Sequence, residues 1–200
     1  MHLTRLNSTR KRHEADFYET PYGLAKAVLN YLHLDVVVSL KYTVDAGCGN
    51  GIWGRAFQEV FGDDYIIDGV DIRLPTAPLP YSCFHHTDYL TWNPEMSPTL
   101  IIGNPPFRLI EQFVRHSWEI SDYGGVICFL GRLEFLASRR RQEGLFAECP
   151  LNQVAVLTRR PSFFSTKGSK TTDAMDYAVF IWVAGESAPK AILDWLYWEY

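Results

Sequence analysis

Short apolar runs alternate with helical patterns along most of this chain, and this order limits the fold more than any other feature. Between the runs, apolar residues such as Trp53, Phe57 and Val60 recur at helical spacing. Such alternation predicts an α/β fold with a mostly parallel sheet and helices on both faces. The predicted strands are Tyr42–Gly47, Tyr65–Ile72, Cys83–Leu90, Thr99–Gly103, Gly125–Leu130, Val154–Thr158 and Tyr177–Ala184.

Several connecting segments carry their own signals. Thr20 and Pro21 are typical of the N-cap and first turn of a helix, and Leu133–Glu148 predicts another, weaker helix. The connection 159–175 contains no apolar helical pattern. Two strands joined without a crossover helix can pair antiparallel, so this connection allows an antiparallel final strand.

The two ends of the chain are predicted to lie outside this alternation. Residues 1–15 carry four cationic side chains, which predicts a basic, mobile arm. At the other end, Trp195, Leu196 and Trp198 predict a helix packed on the domain, with a homodimer contact as the alternative. We expect residues 1–200 to form a single domain, since the length fits one.

The composition excludes several classes of protein. With 47% hydrophobic residues and a net charge of −4, the chain is neither disordered nor a polycation, so nucleic-acid binding would need local basic patches. No apolar run is long enough to span a membrane, and no secretory signal is present. The four cysteines form no CxxC pair, which predicts no metal site, no disulfide framework and a cytoplasmic location.

A glycine-rich turn follows the first predicted strand, in the segment Asp45–Gly51. Glycines at alternate positions permit close approach to a ligand, and the amides of the helix that begins at once point to the same place. Asp71 ends the second strand, where an acidic residue accepts ribose hydroxyls. A carboxylate at position 45 suits a ligand with a cationic amino group. A nucleoside ligand is therefore favoured over a dinucleotide or a plain turn.

The segment Asp45–Gly51 resembles the first motif of class I S-adenosylmethionine-dependent methyltransferases. The resemblance implies a Rossmann-like sheet of seven strands with an antiparallel last strand, and S-adenosylmethionine as cofactor. It implies that the glycines contact the methionine part of the cofactor and that Asp71 holds the ribose. The implied cofactor-binding residues in these two strand ends are Asp45, Gly47, Gly49, Gly51, Asp71 and Ile72.

The fourth predicted strand is followed directly by Asn104, Pro105, Pro106 and Phe107. An exocyclic amino group on a heteroaromatic ring is a poor nucleophile, because the ring delocalises its lone pair. The side-chain oxygen of Asn104 and the carbonyl of Pro105 are candidate acceptors for its two hydrogens, and these bonds stabilise the charge that develops on nitrogen. The prolines stiffen the turn, and Phe107 offers a face for an extruded base.

These four residues resemble the catalytic motif of amino-methyltransferases, chiefly the adenine-N6 enzymes, although glutamine-N5 and some RNA guanine-N2 enzymes share it. The segments Asp16–Pro21 and Thr87–Leu90 resemble two further segments of DNA adenine-N6 enzymes. In the first, the resemblance implies that Tyr18 and Thr20 border the cofactor. In the second, it implies that Asp88 accepts a hydrogen bond from the cofactor's adenine amino group.

The motif order resembles the gamma arrangement of DNA methyltransferases, although we expect no separate recognition domain within residues 1–200. The sequence thus predicts transfer of a methyl group to adenine N6 in DNA. The alternatives are an RNA adenine-N6 enzyme, a protein glutamine-N5 enzyme, and a non-catalytic subunit that binds nucleic acid or S-adenosylmethionine.

Clusters of Lys and Arg predict where a nucleic acid would lie. They follow the fifth and sixth strands, on the side of the sheet that carries the motifs, and phosphate contacts favour such clusters. Their presence favours a nucleic-acid partner over a protein glutamine, and the resemblance to DNA adenine-N6 enzymes implies DNA rather than RNA. A homodimer or a recognition subunit is the further partner that we expect. The candidate contacts are Arg139, Arg140, Arg159, Arg160, Lys167 and Lys170.

Overall fold

The structure is a computed structural model that describes residues 19–36, 40–163 and 174–200. Tyr18, Lys167, Lys170 and the predicted N-terminal arm lie outside the described residues. One sheet contains eight strands in the order β3-β2-β1-β4-β5-β7-β6-β8. The strands are β1 Tyr42–Ala46, β2 Ile66–Asp71, β3 Cys83–His86, β4 Leu100–Gly103, β5 Val126–Arg132, β6 Gln153–Leu157, β7 Tyr177–Val183 and β8 Ile192–Leu196.

Helices cover both faces of the sheet, as predicted. They are α1 Tyr22–Val36, α2 Ile52–Phe61, α3 Ile110–Ile120, α4 Arg139–Glu143 and α5 Leu145–Glu148, with 3-10 turns at Tyr89–Thr91 and Leu133–Leu136. One buried cluster joins α1 and α2 to the sheet, and a second joins α3 and α5 to the opposite face. Alternate residues of β5 enter the two clusters, which explains why the strand is apolar throughout.

β1 lies at the topological switch point of the sheet. It pairs in parallel with β2 on one side and with β4 on the other. In an open parallel sheet, ligands bind beyond the carboxyl ends of the strands at such a point. The turns after β1, β2 and β4 therefore meet at one edge of the sheet.

The antiparallel strand is where the sequence predicted it. β7 pairs antiparallel with both β5 and β6, and the other pairings are parallel. The predicted Rossmann-like, mostly parallel α/β fold is confirmed.

The count of seven strands and the C-terminal helix are wrong. The segment with Trp195 and Leu196 forms β8, which pairs in parallel with β6 and makes the sheet eight-stranded. The side chain of Asp194 accepts a hydrogen bond from Tyr31 of α1 at 2.8 Å, which ties this edge strand to the helical layer. Edge pairing with β6 satisfies the backbone groups that a helix would have satisfied internally.

Two other elements are shorter than predicted. The helix predicted over residues 133–148 is divided into a 3-10 turn, α4 and α5, since Ser138 caps α4 and Gly144 ends it. β3 ends at His86, and Asp88 then caps a 3-10 turn through a 3.0 Å bond from the amide of Leu90. Among the described residues, no helix is long and apolar enough to cross a membrane.

Candidate active site

A cavity of about 990 Å³, including its open mouth, lies at the carboxyl ends of β1, β2 and β4. Eight of the predicted site residues line this cavity together. They are Thr20, Gly47, Gly49, Asp71, Ile72, Asp88, Asn104 and Pro106.

The glycine loop forms the floor of the cavity. Gly47, Gly49 and Gly51 all have positive φ, at 74°, 54° and 79°, a conformation that side chains disfavour. The amides of Gly47 and Cys48 both donate to the carbonyl of Val70, which joins the loop to the end of β2. The sharp turn places the amino end of α2 beside the cavity, where its amides favour a polar or anionic ligand group.

Asp71 is held firmly at the end of β2, with only 4% of its surface exposed. The amide of Gly49 donates to its Oδ2 atom at 2.8 Å, and the amide of Arg73 donates to Oδ1 at 2.8 Å. The guanidinium of Arg73 also contacts both carboxylate oxygens at 3.1 Å. This carboxylate, beside the glycine cradle, fits a ligand that presents hydroxyl groups, as a nucleoside does.

Asp45 differs from its predicted role. Its side chain is fully buried on the α1–α2 face of β1, accepts a hydrogen bond from the hydroxyl of Tyr81, and is absent from the cavity lining. Alternation along β1 explains this placement, since Val44 and Ala46 point to the other face. Burial raises the pKa of Asp45 to about 7, and the nearby charge of Asp71 adds to the rise. Gly51 and Pro105 also lie outside the lining.

The Asn-Pro-Pro-Phe segment begins directly at the end of β4. Gly103 is required there, because a Cβ atom at this residue would lie 2.5 Å from the carbonyl oxygen of Ala46. This close approach of β4 to β1 brings Asn104 and Pro106 into the same cavity as the glycine loop. Pro105 is buried, and the amide of Leu109 donates to the carbonyl of Pro106 at 2.7 Å, which closes the turn.

Phe107 is absent from the cavity lining and packs against other elements of the fold. Its ring packs at 5.6 Å from that of Tyr177 on β7 and at 6.2 Å from that of Phe163 in the loop after β6. The guanidinium of Arg132 lies 5.0 Å from the centre of the Phe107 ring. We call Phe107, Arg132, Phe163 and Tyr177 the aromatic cluster.

Three of the predicted basic residues form ion pairs with carboxylates, which the sequence did not predict. Arg139 pairs with Glu143 at 2.7 Å, Arg140 with Glu111, and Arg160 with Asp176 at 2.8 Å. These pairs are exposed and reduce the local positive charge. Arg159 instead stacks on Tyr200, with 4.5 Å between its guanidinium and the ring centre.

Other lining residues were not predicted. Arg73 and Arg108 bring positive charge to the cavity, while Trp53 and Phe113 give it apolar walls. Arg73 could have been predicted to lie near the cavity, because it is two residues after Asp71, the predicted ribose acceptor. Trp53 and Phe113 look like ordinary core residues of α2 and α3, since each lies on the apolar face of its helix.

Comparisons with known proteins find methyltransferases. No protein-family model matches the chain. It is 28% identical over 129 residues to ribosomal RNA large subunit methyltransferase G of Shewanella sp. (strain ANA-3), covering 54% of this chain and 34% of that protein. It is 31% identical over 93 residues to type II methyltransferase M.TthHB8I of Thermus thermophilus, covering 46% and 21%. The matches thus cover about a third or less of these relatives' lengths.

A solved structure matches more of the chain. It is a proposed class I S-adenosylmethionine-dependent methyltransferase of Listeria monocytogenes, with a TM-score of 0.68 and 14% identity, covering 93% of this chain and 68% of that one. The chain therefore has the class I S-adenosylmethionine-dependent methyltransferase fold. Together, the relatives and the structural neighbour imply S-adenosylmethionine as the cofactor.

Proposed function

We propose that this protein transfers a methyl group from S-adenosylmethionine to the N6 amino group of adenine in DNA. One observation carries the proposal: Asn104, at the start of an Asn-Pro-Pro-Phe turn, lines the same cavity as the glycine loop and Asp71. The similarity to a type II methyltransferase supports a DNA substrate.

The protein's own residues have distinct parts in this proposal. Gly47 and Gly49 approach the methionine part of the cofactor, Asp71 accepts from the ribose hydroxyls, and Asp88 accepts from the adenine amino group. When bound, S-adenosylmethionine supplies an electrophilic methyl group. Asn104 and the carbonyl of Pro105 accept the hydrogens of the target amino group, which stabilises the positive charge that grows on its nitrogen.

The aromatic cluster supports the choice of a base as the methyl acceptor. Phe107 directly follows the turn that holds Asn104, and its ring meets those of Phe163 and Tyr177 from two other elements. Enzymes that modify a base extrude it from the helix and stack it against such rings. A flat heteroaromatic acceptor packs against these rings better than the flexible amide of a protein glutamine does.

The test is the identity of the methylated product. Unmethylated DNA, ribosomal RNA and a glutamine-containing protein extract are each incubated with the protein and isotope-labelled S-adenosylmethionine. Hydrolysis and mass analysis of the products are expected to yield labelled N6-methyladenine from DNA. Labelled nucleosides from RNA alone, or labelled glutamine alone, would overturn the proposal.

A second candidate is methylation of ribosomal RNA. It is favoured by similarity to a ribosomal RNA large subunit methyltransferase over 54% of this chain. The amino-group chemistry at Asn104 is the same for either polymer. The RNA arm of the experiment above tests this candidate directly.

Asp71→Ala is expected to weaken S-adenosylmethionine binding by roughly 1.5–3 kcal/mol, or about 10- to 150-fold, which is the usual size of hydrogen bonds to a charged group. The substitution removes both the proposed ribose acceptor and the partner of the Gly49 amide. Calorimetry measures the affinity, and circular dichroism checks folding. Asp63→Ala, which alters an exposed residue beyond α2, is the matched control. Equal affinity of a folded Asp71→Ala protein and its parent would refute the ribose assignment.

Neutralising Arg159 and Arg160 together, as Arg159→Gln and Arg160→Gln, is expected to weaken DNA binding and reduce its dependence on salt. Each lost phosphate contact reduces the slope of log affinity against log salt by roughly one unit. The control removes two exposed charges, Lys41→Gln and Lys190→Gln, from the amino ends of β1 and β8 at the opposite edge. Identical plots for both variants and the parent would mean that Arg159 and Arg160 do not contact the polymer.

A further inference from the structure

A second group of chemically active side chains lies on β2 and β3, away from the cavity lining. Among the described residues, Asp68, Cys83 and His85 place one ligand atom each within 4.8 Å of one another. None of the three lines the methyl-transfer cavity. We propose that Asp68, Cys83 and His85 form a binding site for a zinc-class divalent metal ion.

The strand register explains how the three side chains meet. Cys83 and His85 are two residues apart on β3 and therefore point to the same face of the sheet. Asp68 lies directly beside Cys83 in the parallel pairing of β2 and β3. The backbone of the sheet thus fixes the Cα positions of all three residues before any metal binds.

The distances are close to those that a metal requires. A tetrahedral zinc ion bound by nitrogen, oxygen and sulfur keeps its ligand atoms roughly 3.3–3.5 Å apart, given the usual bond lengths. His85 Nε2 and Asp68 Oδ2 are 2.9 Å apart, and the sulfur of Cys83 lies within 4.8 Å of both. The three atoms therefore lie within about 1.5 Å of the spacing that coordination requires, and a bound ion would replace the hydrogen bond between His85 and Asp68.

The surroundings supply the support that metal ligands need. The hydroxyl of Tyr42 donates to Asp68 Oδ2 at 2.9 Å, and Asp68 is 8% exposed. The ring of Trp92 packs 4.9 Å from that of His85. Cys83 is exposed, which leaves a route for the ion to enter. Cysteine, histidine and aspartate together form a donor set that zinc accepts, with a fourth position for water.

The position of the site links it to the cofactor cavity. β2 ends at Asp71, and β3 leads to Asp88 within a few residues. The amide of Thr87 already donates to the carbonyl of Asp71 at 3.1 Å. A metal that joins β2 to β3 would therefore fix the spacing of Asp71 and Asp88, the two proposed cofactor acceptors. The link would stabilise β3 in particular, because β3 is an edge strand that pairs with β2 alone.

The test uses the full chain, freed of metal by a chelator and kept reduced. Titration with cobalt(II) is expected to give one equivalent of bound ion, with a thiolate-to-metal charge-transfer band and the intense visible bands of tetrahedral cobalt. Zinc added afterwards is expected to remove these bands. Zinc is also expected to raise the midpoint of thermal unfolding.

Three variants separate a built site from adventitious binding. Loss of a residue that supports a metal ligand costs roughly 10- to 100-fold in metal affinity, and Tyr42→Phe is expected to lose metal affinity within that range. Cys83→Ser removes a ligand itself, so it is expected to lose the charge-transfer band and to lose more metal affinity than Tyr42→Phe does. Cys149→Ser, a buried cysteine outside the cluster, is the control and is expected to match the parent. Absence of the band in the parent, or equal affinity of Cys83→Ser and the parent, would overturn the proposal. Circular dichroism verifies that each variant is folded.

Discussion

We expect Asn104→Ala to lower the rate of methyl transfer by roughly 10²–10³, by analogy with loss of one preorganised group that stabilises transition-state charge. The side-chain oxygen removed is one of two acceptors proposed for the target amino group. These bonds strengthen as positive charge develops on nitrogen, so their loss affects the chemical step more than binding. Single-turnover assays with saturating DNA and S-adenosylmethionine measure that step directly.

A neighbouring asparagine provides the control for this variant. Asn93 also precedes a proline, but it lies in an exposed loop and does not line the cavity. Asn93→Ala is therefore expected to keep the parental rate. S-adenosylmethionine affinity is expected to change little in either variant. Parental turnover by Asn104→Ala would mean that the methyl acceptor does not sit at this turn.

Much of the fold was predictable because local pattern and global arrangement agree. The turns after β1, β2 and β4 were recognisable in the sequence, and parallel pairing brings their ends to one edge of the sheet. Eight of the predicted site residues consequently line one cavity. Glycine at positions 47 and 49 was informative, because the turn requires positive φ there.

Placements that the sequence did not predict depend on partners far away in the chain. The interior position of Asp45 depends on Tyr81, and the side of the turn that Phe107 faces depends on Tyr177. The segment around Trp195 becomes a strand because β6 offers it an open edge. No spacing rule for metal ligands detects Asp68 with Cys83, since only the register of β2 and β3 unites them.

Replacing Asp45 by asparagine is expected to remove a pH dependence of stability that the parent shows between about pH 4 and 7. The unfolded chain releases this proton near its ordinary pKa of 3.8, whereas burial raises the pKa of the folded carboxyl to about 7. Between these values the folded state binds the extra proton. The stability associated with the neutral carboxyl is therefore complete below the lower pKa and is lost as pH rises through the higher one.

The difference of about three pKa units corresponds to a loss of up to about 4 kcal/mol across this window. Urea unfolding of the cofactor-free protein at a series of pH values measures it, with Asp64→Asn, an exposed carboxyl, as control. The amide side chain that Asp45→Asn introduces keeps an acceptor for the Tyr81 hydroxyl, so the variant is expected to fold and to vary less with pH. Parallel stability curves for Asp45→Asn and the parent would refute the raised pKa.

The same variant distinguishes two roles for this carboxyl. A direct ion pair with the cofactor's amino group would make Asp45→Asn lose most S-adenosylmethionine affinity at pH 8. The structure instead buries Asp45, bonds it to the hydroxyl of Tyr81 and leaves it outside the cavity lining. We therefore expect a smaller loss than Asp71→Ala causes, because Asp71 lines the cavity and Asp45 does not.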